Sequence, residues 1–194
     1  MGALASFSQE KATLTKEETI NYLNKKIKEI DGHYRTDSKA LYYYSQSVSK
    51  SSEQIIVTSS YRNYADNPRV NDYYKGNVYP CDYFENSFSH TFNPGHIKSI
   101  SLKSNPNDPV AIIVITLIGK TASERFVNAG TTTNINGGNY GGKCNGWATP
   151  EKSSSTSEIW FPFLQSDPTN FNKIKKALEY LRDLYKAEDD PFGN

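Results

Sequence analysis

Asp167-Pro168-Thr169-Asn170-Phe171-Asn172-Lys173-Ile174-Lys175-Lys176-Ala177-Leu178-Glu179-Tyr180-Leu181-Arg182-Asp183-Leu184-Tyr185-Lys186-Ala187 is the stretch on which the fold turns. Asp167 reads as a helix N-cap, with Pro168 at the first helical position, where its missing N–H is not needed. Phe171, Ile174, Leu178, Leu181 and Tyr185 recur at steps of three and four, with Ala177 and Leu184 beside them. Lys173, Lys175, Lys176, Glu179, Arg182 and Asp183 fall largely outside that stripe. A helix with one apolar face must lay it on something. The long region before it, rich in alternating patterns, is the platform.

A second helix opens the chain. Thr15-Lys16-Glu17-Glu18 spells a capping box, the Thr15 hydroxyl reaching the third amide and Glu18 reaching back. Ile20, Leu23, Ile27 and Ile30 form its stripe, and Asp31-Gly32 ends it with a glycine able to take positive φ.

Between the helices the pattern is that of strands. Leu41–Ser47 is tyrosine-rich, and Gln54–Ser60 carries Ile55, Ile56 and Val57. Residues 62–80 read as a polar loop with a short strand near Val78. Cys81–Phe92 places Phe84, Phe88 and Phe92 on one parity, which gives an aromatic face. After the Asn93-Pro94-Gly95 turn come His96–Leu102 and then Val110–Ile118. The latter is apolar on both parities and is expected to be the most buried strand. Arg125-Phe126-Val127 follows. Residues 128–156, with the Gly/Asn run Asn134–Lys143 and Ser153-Ser154-Ser155, read as a flexible break before a last strand, Ser157–Leu164.

The chain is therefore expected to be α+β: an N-terminal helix, a bent antiparallel sheet of about seven strands, and a C-terminal amphipathic helix. Its 194 residues suit a single domain over 15–187, with a tail at 188–194. Residues 1–14 read either as the remnant of a signal peptide, because Ala3-Leu4-Ala5 has the small-x-small form of an export cleavage site, or as a disordered lead-in. The export reading places the protein in the periplasm or outside the cell. No apolar run is long enough to span a bilayer.

Twenty-two basic against 21 acidic residues leave no field that would draw the chain to nucleic acid. Cys81 and Cys144 stand in no metal-ligand spacing; they are either a disulfide or two unrelated thiols. Enzyme motifs are missing: no G-x-S-x-G, no H-E-x-x-H and no zinc-type cysteine pairs. His90 and His96 flank the Asn93-Pro94-Gly95 turn and could approach each other near Cys81 or Asp82, a constellation more readily explained by chance than by a metal. Asp82 and Glu85 fall on opposite faces of their strand and cannot act together as acid and base. The chain is read as a non-enzyme, without cofactor or metal.

Binding is what remains. One loop carries Tyr61, Arg62, Tyr64, Arg69, Tyr73 and Tyr74, and another carries Tyr140 and Trp147. Both have the composition of adaptable recognition loops, in which rings supply area and Asn, Ser and Gly supply hydrogen bonds. The first reading is an exported interaction module for a peptide, a protein or a glycan. The alternative is a carrier of a small apolar ligand or lipid, with Phe84, Phe88 and Phe92 lining its cavity.

The passage Phe92-Asn93-Pro94-Gly95-His96-Ile97-Lys98-Ser99-Ile100, the Val110–Ile118 strand and the Phe171–Leu184 helix together resemble the pleckstrin-homology-like superfold. With the ending Asp190-Pro191-Phe192, the same segments look like a group of small uncharacterised exported proteins of Bacteroidota-type bacteria. The resemblance implies a partial barrel plugged by its C-terminal helix. The leading helix at Thr15 departs from it. So does the lack of a basic cluster, since only Lys50 stands within Ser47–Gln54, and inositol-lipid binding is not implied.

Overall fold

The computed structural model describes residues 14–35, 41–63, 69–72, 77–80, 83–132, 142–143 and 151–189. The chain runs α1 (Lys16–Lys28), β1 (Tyr34–Arg35), β2 (Leu41–Ser51), β3 (Gln54–Asn63), β4 (Arg69–Asp72), β5 (Asn77–Pro80), β6 (Tyr83–Phe92) and a 3-10 turn (Pro94–His96). It continues through β7 (Ile97–Lys103), β8 (Val110–Leu117), β9 (Ala122–Thr132), β10 (Gly142–Lys143), β11 (Lys152–Thr156), β12 (Glu158–Leu164) and α2 (Asn170–Asp189).

The architecture is α+β. All strand pairs are antiparallel and fall into three sheets. The large sheet has seven strands in the order β1-β2-β3-β6-β9, with β10 and β11 both on β9. A small sheet has the order β12-β8-β7, and β4 with β5 forms a hairpin where a loop with one short strand is expected. The large sheet keeps both ends open, so among the described residues no strand set closes into a barrel.

The capping box of α1 is formed. Thr15 Oγ1 accepts from the Glu18 amide at 3.2 Å, and the Thr15 amide donates to Glu18 Oε2 at 2.7 Å. Gly32, φ +87°, turns the chain back, and its amide donates to the Tyr43 carbonyl. At the other helix the start is displaced. Asp167 Oδ1 accepts from the Thr169 amide at 2.8 Å and from the Thr169 hydroxyl, so Asp167 and Pro168 build a turn before α2 begins at Asn170. The short polar side chain competes for backbone amides locally and delays the helix by two residues.

The core gathers the apolar faces anticipated for both helices. Ile20, Leu23 and Ile27 of α1 meet Ile174, Leu178, Leu181 and Tyr185 of α2. They pack on Ile113, Ile115 and Leu117 of β8 and Ile159, Phe161 and Phe163 of β12. Ile112, on the opposite parity of β8, is also buried, as a strand covered on both faces requires. The large sheet contributes Val48, Ile55, Val57, Phe92 and Ala122. α1 also covers the outer edge of β2: Asn24 Oδ1 accepts the Val48 amide at 2.9 Å, satisfying a strand-edge donor with a helix side chain.

Ser153–Ser155, expected to be flexible, belong to β11 and pair with Ser123–Arg125 of β9. This strand is exposed and carries no apolar signal, so its register comes from its neighbour. Cys81, Cys144 and the Gly/Asn run 134–141 lie outside the described residues. No helix of the described chain is long and apolar enough to cross a membrane.

Candidate functional site

Strand parity builds the site. In the register β2–β3–β6–β9, Val48 pairs with Val57, Val57 with His90 and His90 with Glu124. One step on, Gln46 pairs with Ser59, Ser59 with Phe88 and Phe88 with Phe126. The next row holds Tyr43, Tyr61 and Asn86. Because successive residues alternate, all of these side chains share one face of the large sheet. That face starts in the core at Ile55 and Phe92 and grows polar and aromatic along the strands.

The other wall comes from the small sheet. Along β12, Ile159, Phe161 and Phe163 turn into the core, which leaves Glu158, Trp160 and Pro162 on the opposite parity. Pro162 is admissible here because β12 is an edge strand, where a missing N–H breaks no second ladder. Between the walls lies a cavity of about 360 Å³, lined by residues of both sheets and by Thr156 at the end of β11. Such a volume is near the lower end of small-molecule sites, roughly 300–1,000 Å³.

Rings form a continuous row across the floor. The Tyr43 and Tyr61 centroids lie 5.9 Å apart, Tyr61 stacks with Phe88 at 6.2 Å, and the His90 imidazole lies parallel to Phe88 at 6.4 Å. Phe126 supports Phe88 from β9 at 4.4 Å. Trp160 is 46% exposed and forms part of the rim, with the Lys103 ammonium 4.8 Å from its ring centroid.

A hydrogen-bonded ionisable pair stands at one side. His90 Nε2 donates to Glu124 Oε2 at 3.0 Å, and Ser154 Oγ donates to Glu124 Oε1 at 3.3 Å. Burial disfavours the imidazolium and pushes the His90 pKa down, although the Glu124 carboxylate pulls the other way. Tyr61 is pushed up to about 12, chiefly by burial. At neutral pH the imidazole and the phenol are uncharged, and the lining also carries the acidic side chains of Glu124 and Glu158. Among the described residues no Lys or Arg side chain lines the cavity.

The site expected from the loops comes together only in part. Tyr61 lines the cavity. Arg62, its neighbour in β3, points to the opposite face, where its Nε donates to Glu85 at 3.2 Å. Tyr64, Tyr73, Tyr74, Tyr140 and Trp147 lie outside the described residues. Of the three phenylalanines expected to form one face, Phe88 lines the cavity and Phe92 is fully buried in the core. The side chain of Phe84 is not among those described. His96 sits in the 3-10 turn, its amide bonded to Asn93 and its carbonyl to Ile118, while His90 turns to Glu124. Among the described residues no group of three or more His, Cys, Asp or Glu could hold a metal ion.

The chain matches no family model, no curated protein and no solved structure.

Glu124, Ile112, Glu158, Trp160 and Pro162 were not singled out from sequence. Parity already placed His90 beside Phe88, and period two along 158–163 separates Glu158, Trp160 and Pro162 from the apolar set. What the sequence lacks is the pairing of β6 with β9, which brings Glu124 to His90 across 34 residues.

Proposed function

We propose that the protein is a non-enzymatic binding module that holds a small ligand in the cavity between the large sheet and β12. The observation that carries this reading is the row Tyr43, Tyr61, Phe88 and His90, walled by Ile112, Trp160 and Pro162. Such a surface offers ring-stacking area, and a buried polar pair supplies orientation. This is the carrier alternative with its residues revised: Phe88 lines the cavity, and Phe92 fills the core. Binding is favoured over nucleophilic catalysis because, among the described residues, no hydroxyl or thiol is hydrogen-bonded to His90.

The test is a fragment screen by ligand-observed NMR on the wild-type chain and on Ser59→Trp, which fills the cavity from its floor. Hits that vanish in Ser59→Trp, with the melting temperature retained, support the reading. Hits that persist in Ser59→Trp place binding elsewhere.

Engagement of a peptide or protein is the second reading, and β7 favours it. It is the outer strand of the small sheet, with Lys98, Ser101, Leu102 and Lys103 exposed, and an extended peptide could add there as a further strand. Protection of β7 amides from hydrogen exchange on adding a candidate peptide is its readout. Export remains part of the proposal on the strength of Ala3-Leu4-Ala5, and cell fractionation tests it. The pleckstrin-homology-like likeness is proposed from α2, which packs its stripe over the 3-10 turn and the small sheet. An experimentally determined structure would decide it.

A further inference from the structure

Resting on that reading of the cavity, we infer that its ligand is an organic cation, an ammonium carrying methyl or ring substituents, held by the rings of Tyr61, Phe88 and Trp160 and the carboxylates of Glu124 and Glu158.

The sign of the lining comes first. Glu124 and Glu158 are both lining residues, and no lining Lys or Arg offsets them among the described residues. Glu124 is held by two neutral donors, the His90 imidazole and the Ser154 hydroxyl, so its orientation is fixed while its charge is left uncompensated. Glu158 has no ion-pair partner among the described residues. An anionic ligand would face two carboxylates. A wholly apolar one would take water from them without returning anything.

The rings point the same way. Aromatic faces are the negative end of a quadrupole, and a ring-lined site that excludes water attracts cations that are weakly hydrated. The rim already displays that chemistry, with the Lys103 ammonium over Trp160 at 4.8 Å. A bare metal ion fits less well, because such an ion needs converging ligands and the described residues supply no such group. A bulky ammonium needs only area and net negative potential. Arg35, whose charge is felt by the Tyr61 hydroxyl, is buried at β1 and does not line the cavity. Lys103 lies over a lining ring and competes with the ligand for Trp160.

Phenyltrimethylammonium and its neutral isostere tert-butylbenzene form the test pair, titrated by NMR against wild type, Glu158→Gln, Lys103→Met and Ser59→Trp. The cation is expected to bind roughly tenfold more tightly than the isostere. Glu158→Gln, an exposed change that leaves the core untouched, should remove most of that advantage, and Lys103→Met should increase it. Equal or stronger binding of tert-butylbenzene, lost in Ser59→Trp, would overturn the cation assignment and leave the cavity reading standing. If neither compound binds, or both bind Ser59→Trp as they bind wild type, the inference and the cavity reading fail together.

Discussion

His90 on β6 and Glu124 on β9 stand directly opposite in the register, and their side chains meet at 3.0 Å inside a cavity bordered by aromatic rings. The pairing joins two strands of the large sheet and gives the cavity a fixed polar wall. Its consequence for pH follows from the direction of the histidine shift. Burial lowers the His90 pKa below 6.5, with Glu124 opposing. Between the folded pKa and 6.5 the unfolded chain therefore binds more protons than the folded one. The His90 contribution is fully present above 6.5 and is lost as pH falls through that window. The melting temperature should drop on acidification from neutral pH, and His90→Gln should flatten that slope. A wild-type melting temperature that rises on acidification over this range would contradict the assignment.

Asn24 is the side chain that lets α1 close the edge of β2. Its Oδ1 is the partner of the Val48 amide, and Asn24→Ala would leave that amide partly buried without an acceptor. The expected cost is about 1–3 kcal/mol, read from urea denaturation. Fast hydrogen exchange at Val48 in the variant should accompany it.

Gly32 turns the chain from α1 into β1 with φ +87°, and a methyl group placed there would meet nothing within 4 Å. Gly32→Ala should therefore cost only the backbone strain of a left-handed residue, about 1–2 kcal/mol. Gly32→Asn should cost less, since asparagine tolerates this region. Equal stability of the alanine variant and wild type would contradict the turn.

Leu178 is fully buried where α2 meets α1 and the small sheet. Leu178→Ala removes packing atoms that rigid neighbours cannot replace, and should destabilise by about 2–5 kcal/mol. The exposed apolar Ile118, by contrast, should tolerate Ile118→Thr with a change within about 0.5 kcal/mol. Comparing the two by chemical denaturation checks the assignment of the core.

Sequence was most legible where one segment carries its whole explanation. Thr15 and Glu18 cap α1 through groups three residues apart, and the α2 stripe needs only a 3.6-residue period. The twofold apolar pattern of β8 likewise announces a strand covered on both faces. Legibility ended where pairing decides. β11 consists of Lys152 and hydroxyl side chains, and only β9 makes it a strand. Tyr61 and Arg62 were grouped by composition although period two sends adjacent residues to opposite faces. The cavity needs β3, β6 and β9 in register and β12 against them, a relation between segments distant in sequence, as His90 and Glu124 are at 34 residues apart. Asp167 shows the remaining case: read as the helix N-cap, it instead holds its own turn at Thr169, and the helix starts at Asn170.

The central claim is that the aromatic cavity is where this protein binds, and Ile112 reports on it most directly. Its side chain lines the cavity, whereas that of Ile113, one residue on, faces the core. The measurement is a titration of methyl-labelled protein with phenyltrimethylammonium. Saturable shifts of the Ile112 methyls, with Ile113 unmoved and the effect gone in Ser59→Trp, are the predicted result. Saturable binding that leaves Ile112 unmoved and shifts residues of β7 instead would contradict the account.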